Sequence, residues 1–270
     1  MHLLYCDETN LEERSGDFFV YGGVMIDADA APALSQQLEQ IRSAAGMSNE
    51  VMLKFKPKPG NLSSSDFVAL KDQVIDATVS HGCTLITCLT LHDLARDPET
   101  ARLYGINSVC YHFDCLLNRS NSQGLILIDR FDNKQADSHL RDKFSKGVEG
   151  LPYSDRMRLD RVLGIHYSAI GQSHFCSVVD IILGSLRFAI NSHTRGGNAT
   201  NRRAAEDLLQ RLSPLFPRSD FDHEVLELGL LFSPKAIRAP SYREKYQSVK
   251  DFLSANGIAT KQEITASPIY

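Results

Sequence analysis

Much is absent from this sequence of 270 residues, and each absence removes a class of function. No apolar run approaches the roughly 20 residues of a membrane span, so no membrane partner is expected. No basic region leads into a long apolar stretch near the N-terminus, so no secretory signal is read and the expected location is cytoplasmic. Positive charge is not in excess: 29 Lys and Arg stand against 33 Asp and Glu, a formal net charge of −4. That balance gives no global attraction to nucleic acid or anionic lipid, although local patches can still serve. None of the six cysteines forms a Cys-x-x-Cys pair. Cys110 and Cys115 lie in a predicted helix, well around it from each other, and no second knuckle follows, so the pattern does not read as a zinc site. Buried, reduced thiols are the expectation for all six. There is no GxxxxGK[ST] phosphate loop and no GxSxG elbow, which argues against a P-loop ATPase and an α/β-hydrolase. No internal repeat or long low-complexity segment is present.

What remains is an ordinary globular composition, 43% hydrophobic and 23% charged, long enough to bury a sizeable core. Strands are predicted at His2–Cys6, Asp17–Asp27, Cys83–Leu91, Gly124–Asp129 and Gly164–Ile170. Helices are predicted near residues 31–46, 66–80, 99–118, 135–148 and 174–191. The short link between the first two strands suits an antiparallel pair, and the later alternation of strand and helix suits parallel strands. The fold class is therefore α/β, one mixed five-stranded sheet covered by helices, over residues 1–191. Residues 192–270 are expected as a C-terminal extension packed on the same domain. In it RGGNATNRR reads as a basic loop, Ala204–Leu212 as a helix, EVLELGLLF as a strand and Tyr242–Ala255 as a helix.

Acids stand where a core should be. Asp7 ends the first strand and Asp129 the fourth; in doubly wound sheets, sites gather at the carboxyl ends of parallel strands. A strand simply ending in a solvated turn also accounts for each of them taken alone. Asp180 is the one acid in SVVDIILGSLRFAI, a helix apolar on almost every side, so no rotation gives it a wide polar face. Pairing with Arg187 or a backbone donor would satisfy it structurally; a bound cation would compensate several such groups together. Gly184 lies one turn further on the same face, where another element can approach closely. Glu50, ahead of VMLKF, reads by pattern as a loop acid.

At these residues the chain resembles the bacterial family catalogued as domain of unknown function 3800, whose members are similar to ribonuclease H. The resemblance rests on YCDET (Tyr5–Thr9), FFVYGGVMI (Phe18–Ile26), LILIDRFDN (Leu125–Asn133) and SHFCSVVDIILG (Ser173–Gly184), in the family's order across residues 1–191. It departs from the family in two places. The Glu-x-Lys element becomes Glu50-Val-Met-Leu-Lys54, and Cys176, Ser177 and Val179 replace the usual residues before the helical Asp. The resemblance implies a ribonuclease H-like fold and a metal-dependent nuclease, acting in defence or on mobile elements. By analogy Asp7, Asp129 and Asp180, assisted by Glu50, would be the catalytic and metal-binding residues for Mg²⁺ or Mn²⁺. In such two-metal sites one ion activates water and the other stabilises the leaving oxygen, and Mg²⁺ suits oxygen ligands.

Phosphodiester substrate needs cations to meet its backbone. Lys54, Lys56 and Lys58 are predicted to alternate along one extended face, and Arg195, Arg202 and Arg203 to sit in the glycine-rich loop; either group can contact the phosphates of DNA or RNA, or be solvated surface. His166 is read as either a core histidine or a proton shuttle. The competing reading is a catalytically silent ribonuclease H-like module that binds nucleic acid or a partner protein, with homo-oligomers also open.

Overall fold

Side chains of a strand alternate between the two faces of its sheet, and on the first strand that alternation organises the molecule. The computed structural model describes residues 1–9, 14–48, 51–130, 134–151 and 154–267. The chain begins with β1 (His2–Thr9) and β2 (Phe18–Asp27), then α1 (Ala31–Ala44), α2 (Ser64–Ser80) and β3 (Thr84–Leu91). Next come α3 (Pro98–Arg119), β4 (Gly124–Asp129), α4 (Lys134–Lys146), β5 (Val148–Leu151), β6 (Ser154–Met157) and β7 (Val162–Ser168). The chain then forms α5 (His174–Thr194), α6 (Ala199–Leu212), β8 (Leu230–Ser233) and α7 (Pro240–Ala255).

One mixed sheet has the order β7-β4-β1-β2-β3-β8. β2 pairs antiparallel with both β1 and β3, whereas β4, β7 and β8 each join in parallel. On one face Tyr5, Phe18, Val20, Val24 and Ile26 meet α1, α2, α5, α6 and α7. On the other, Leu4, Cys6, Phe19 and Tyr21 meet α3 through Ile106, Val109 and Phe113. Helices α2, α3, α5 and α6 start where a side chain satisfies a first-turn amide. Ser63 accepts from Asp66 N–H, Asp97 from Thr100, Ser173 from Phe175 and Asn198 from Asn201.

The two central glycines of β2 serve opposite faces. A side chain on Gly22 would meet Leu183 of α5 and the backbone of β3 at 2.8 Å; one on Gly23 would meet Leu4 at 2.8 Å. Gly22 lies directly across the ladder from Asp7, and the space a side chain would take there is filled by Leu183 of α5. α5 is long and apolar enough by length and composition to cross a membrane, but 72% of its most apolar window is buried inside this fold. Asp180 and Arg187 interrupt it, which is why no continuous apolar run shows in the sequence.

Three sequence expectations need correction. The sheet has six strands rather than five, because the C-terminal segment supplies β8, which runs parallel to β3. An uncovered β3 would present unpaired amides and carbonyls, and the apolar pair Leu230 and Phe232 is buried as β8 closes that edge. The expected strand across EVLELGLLF is confined to its last residues and Ser233, since Glu224–Gly229 form bridges and turns around Pro217 and Leu226. A two-stranded ribbon, β5 with β6, was not expected.

Tyr246 on α7 ties this C-terminal segment to the sheet. Its ring is fully buried, edge-on to Phe18 at 4.9 Å and Phe232 at 6.1 Å. Its hydroxyl accepts from Leu91 N–H at 2.7 Å and donates to the Ser233 carbonyl. Tyr246→Phe strands a buried donor and a buried acceptor, so urea unfolding should show a loss of about 1–3 kcal/mol. An unchanged midpoint would mean that the C-terminal segment does not contribute to the stability of the sheet.

Candidate functional site

Register brings the strand-end acids together. β1 and β4 pair in parallel from His2 opposite Gly124 to Cys6 opposite Ile128, and one step further sets Asp7 beside Asp129. Parallel neighbours lie about 4.8 Å apart. Both residues follow the alternation of Tyr5 and Leu127, which pack on the α5 side, so both carboxylates face α5. Asp180 answers from that helix: its charge acts on Asp7, and that of Asp129 acts on Asp180. The structure thus brings together three of the acids picked out in the sequence. Glu50, the fourth, lies outside the described residues.

Each carboxylate is held by a backbone N–H. Glu8 donates to Asp7 Oδ1 at 2.8 Å, Phe55 to Asp180 Oδ2 at 2.5 Å, and Arg130 to Asp129. The Phe55 bond is possible because Gly184 lies against that ring; a Cβ there would stand 2.4 Å from Phe55 Cγ. The segment 51–59 forms no strand, contrary to the extended face expected of Lys54, Lys56 and Lys58; Pro57 and Pro59 have no amide to give a ladder. Lys54 instead turns its charge on Asp129 and Asp180. Lys56 lines the cleft in front of them, and Lys58 folds back onto the carbonyls of Pro59 and Leu62.

Burial and like charge set the protonation of this cluster. Burial, then Asp129, Glu8 and Asp180, push the Asp7 carboxyl up to about 8. Burial also raises Asp129, against its Arg130 amide and Lys54. Asp180 is raised by burial too, against the Phe55 amide, Lys54 and Arg187. Glu8 points the other way, to Arg102 at 3.1 Å, and Glu99 grips the same guanidinium.

Asp7 and Asp180 line an open cleft of about 730 Å³, together with Arg14, Lys54, Lys56, Arg187 and Arg195. Asp129 is not among its lining residues. The cations picked out in the sequence divide here. Lys54, Lys56 and Arg195 face the cleft, and Arg195 also clamps Asp17 through Nε at 2.9 Å and through Nη2. Arg202 and Arg203 were expected in a loop beside them but belong to α6, because Asn198 caps that helix. They line a separate hollow with Glu206 and Asp207, and Arg202 donates to the Gly197 carbonyl at 2.9 Å. His166 is neither in the core nor at the cleft; it is exposed on β7, against Phe144 and Tyr167. Arg14 was missed because its loop has no periodicity. Cys176 is also new to the site: it lies one turn before Asp180, its thiol raised by burial and by Asp129 and Asp7, against a hydrogen bond with the Ser168 side chain.

An all-carboxylate donor set fits a hard divalent cation such as Mg²⁺ or Mn²⁺. Among the described residues, however, no three His, Cys, Asp or Glu side chains already form a metal-holding group. The acids are neighbours through their charges, each with one oxygen held by an amide.

The Asp7 proton gives a pH signature. A carboxyl of the unfolded chain ionises near 3.9, whereas folded Asp7 keeps its proton to about 8. Between those values the folded state binds the extra proton. The metal-free protein should therefore lose stability as pH rises from about 5 to 8 and level off above that. Asp7→Asn should flatten this slope and be the more stable protein at pH 8.5, by ~1–3 kcal/mol in denaturant unfolding. An identical pH slope in both proteins would refute the buried, crowded state of Asp7.

No family model, no curated protein and no solved structure matches this chain.

Proposed function

We propose that the cleft binds DNA or RNA and hydrolyses its phosphodiester bonds, with Mg²⁺ or Mn²⁺ held by Asp7, Asp129 and Asp180. The observation that carries this reading is the convergence of the three acids: two in register on adjacent parallel strands, the third facing them from α5. The cations of the cleft add to it, and so does the resemblance to the domain of unknown function 3800 family, which also implies a ribonuclease H-like sheet and a role in defence or mobile-element biology. Fold class alone would not establish an activity.

Each part of the cleft has a task in this reading. Lys56 and Arg187 meet the phosphate backbone in front of the acids, as cations do at nucleic-acid interfaces. Lys54 holds Asp129 and Asp180 toward their ionised forms. The amides of Glu8, Arg130 and Phe55 fix one oxygen of each acid and leave the others for ligation. Asp7 holds a proton at neutral pH while the site is metal-free and must give it up to serve as a ligand, so cation affinity should rise with pH. A bound cation supplies an activated water and charge to stabilise the leaving oxygen.

A second reading, a silent nucleic-acid-binding module, draws on the absence of a ready-made metal group among the described residues. Mn²⁺ titration by calorimetry, with and without DNA or RNA, separates the two. The nuclease reading expects binding by wild type that disappears in Asp7→Asn/Asp180→Asn. It also expects cleavage to fall by more than the 10–100-fold typical of supporting residues. No cation binding even with nucleic acid present would overturn it. Retained nucleic-acid affinity in the Asp variants, lost on replacing Lys54 and Lys56, would then establish the binding module.

A further inference from the structure

A second cavity of about 710 Å³ opens beside the cleft, between α2, α5 and α6. Phe55, Lys56 and Phe188 line both cavities, so they form the wall between them. Phe55 is fixed in that wall: its amide holds Asp180, and Lys71 Nζ sits 4.2 Å from its ring centroid on the side of the second cavity. Phe188 is only partly buried, its ring 6.4 Å from that of Phe55 and tilted by 45° to it. It lies on the same face of α5 as Asp180, two turns on, ~12 Å along the axis.

The two cavities differ in charge. The cleft gathers cations, whereas the second cavity has an apolar body of Val68, Val79, Leu208 and Pro214, with Asp72, Asp76 and Asp207 at its margin. Arg211 there is already paired, with Nη1 at 2.5 Å from Asp76 and Nη2 at 3.6 Å from Asp72. Such a cavity, where Lys56, Lys71 and Arg211 balance Asp72, Asp76 and Asp207, has no excess of positive charge to draw phosphate and suits a flat, neutral group with apolar faces and polar edges. A chain whose phosphates lie in the cleft carries groups of that description at every nucleotide.

We propose that the second cavity takes one unpaired nucleobase of the bound strand, stacked on Phe188, while Lys56 holds the adjoining phosphate. This rests on the nucleic-acid reading above. It makes the substrate single-stranded at the nucleotide next to the site, because a base inside a duplex cannot leave the stack without extra cost. Phe188 then contributes affinity through its ring face, as aromatic platforms do for single strands, and a base of either DNA or RNA can use it.

The test measures affinity of a short labelled single strand, and of an abasic strand of equal length, for Asp7→Asn, which removes cleavage. Phe188→Leu keeps apolar bulk but loses the ring; Phe188→Trp keeps a ring. Phe188→Leu should weaken the base-bearing strand about ten-fold or more and leave the abasic strand unchanged, with Phe188→Trp restoring affinity. Equal weakening of both strands, or of neither, would overturn the base pocket. If cleavage depends on Asp7 but strand affinity does not depend on Phe188, the pocket alone fails. If neither strand binds any of these proteins, the nucleic-acid reading falls and the pocket with it.

Discussion

The hydrogen bond from the Phe55 amide to Asp180 joins two parts of the chain that share no secondary structure, and much of the cleft depends on it. Asp180 stands on an otherwise apolar helix, where a lone carboxylate is unfavourable. The amide satisfies one of its oxygens and in doing so docks the irregular segment 51–59 against α5. Gly184, one turn on, admits the Phe55 ring at a distance no side chain would allow. Once Phe55 is seated, its neighbours have set directions. Lys54 reaches the acids, Lys56 reaches the cleft, and the ring closes the wall toward the second cavity.

Against that anchor, the acids are a deliberate instability. Three carboxylates crowd one end of the sheet; burial raises all of them, and repulsion between them adds to it at Asp7 and Asp180. Structural ion pairs elsewhere in the molecule are arranged differently. Glu8 has Arg102, Asp17 has Arg195, and Asp76 has Arg211. Among the described residues, the acids of the cluster are met by backbone amides and by the charges of Lys54 and Arg187. That difference between crowded and closely paired carboxylates is where the proposed cation would act. That contrast is the physical basis for regarding this end of the sheet as a functional site.

Much of this was legible in the sequence because it followed from local pattern. The strand-ending acids, the glycine pair of β2 and the isolated Asp180 each broke the periodicity around them, and each break has a spatial cause. Gly22 admits Leu183 of α5 against the strand, and Gly184 admits Phe55. What could not be read depended on non-local pairing. The four residues of β8 are too short to announce themselves, and their role as the sixth strand comes from the edge of β3. Prolines made the Lys54–Lys58 stretch irregular where alternation of charge suggested one extended face. Asn198 started α6 early and carried Arg202 and Arg203 away from the cleft. Arg14 sits in a loop whose position no periodicity encodes.

The strand order has a consequence for how the molecule comes into being. β1, β2 and β3 form an antiparallel meander from the first 91 residues, built of comparatively local contacts, whereas β4, β7 and β8 add in parallel from far along the chain. Local pairings form early and distant ones late. Asp7 belongs to the early unit, but Asp129 and Asp180 arrive only with the long-range additions. The acid cluster therefore cannot assemble before α5 has been made, when β8 is the one strand of the sheet still to come. Whatever the cluster binds, it can bind only once the sheet is nearly complete.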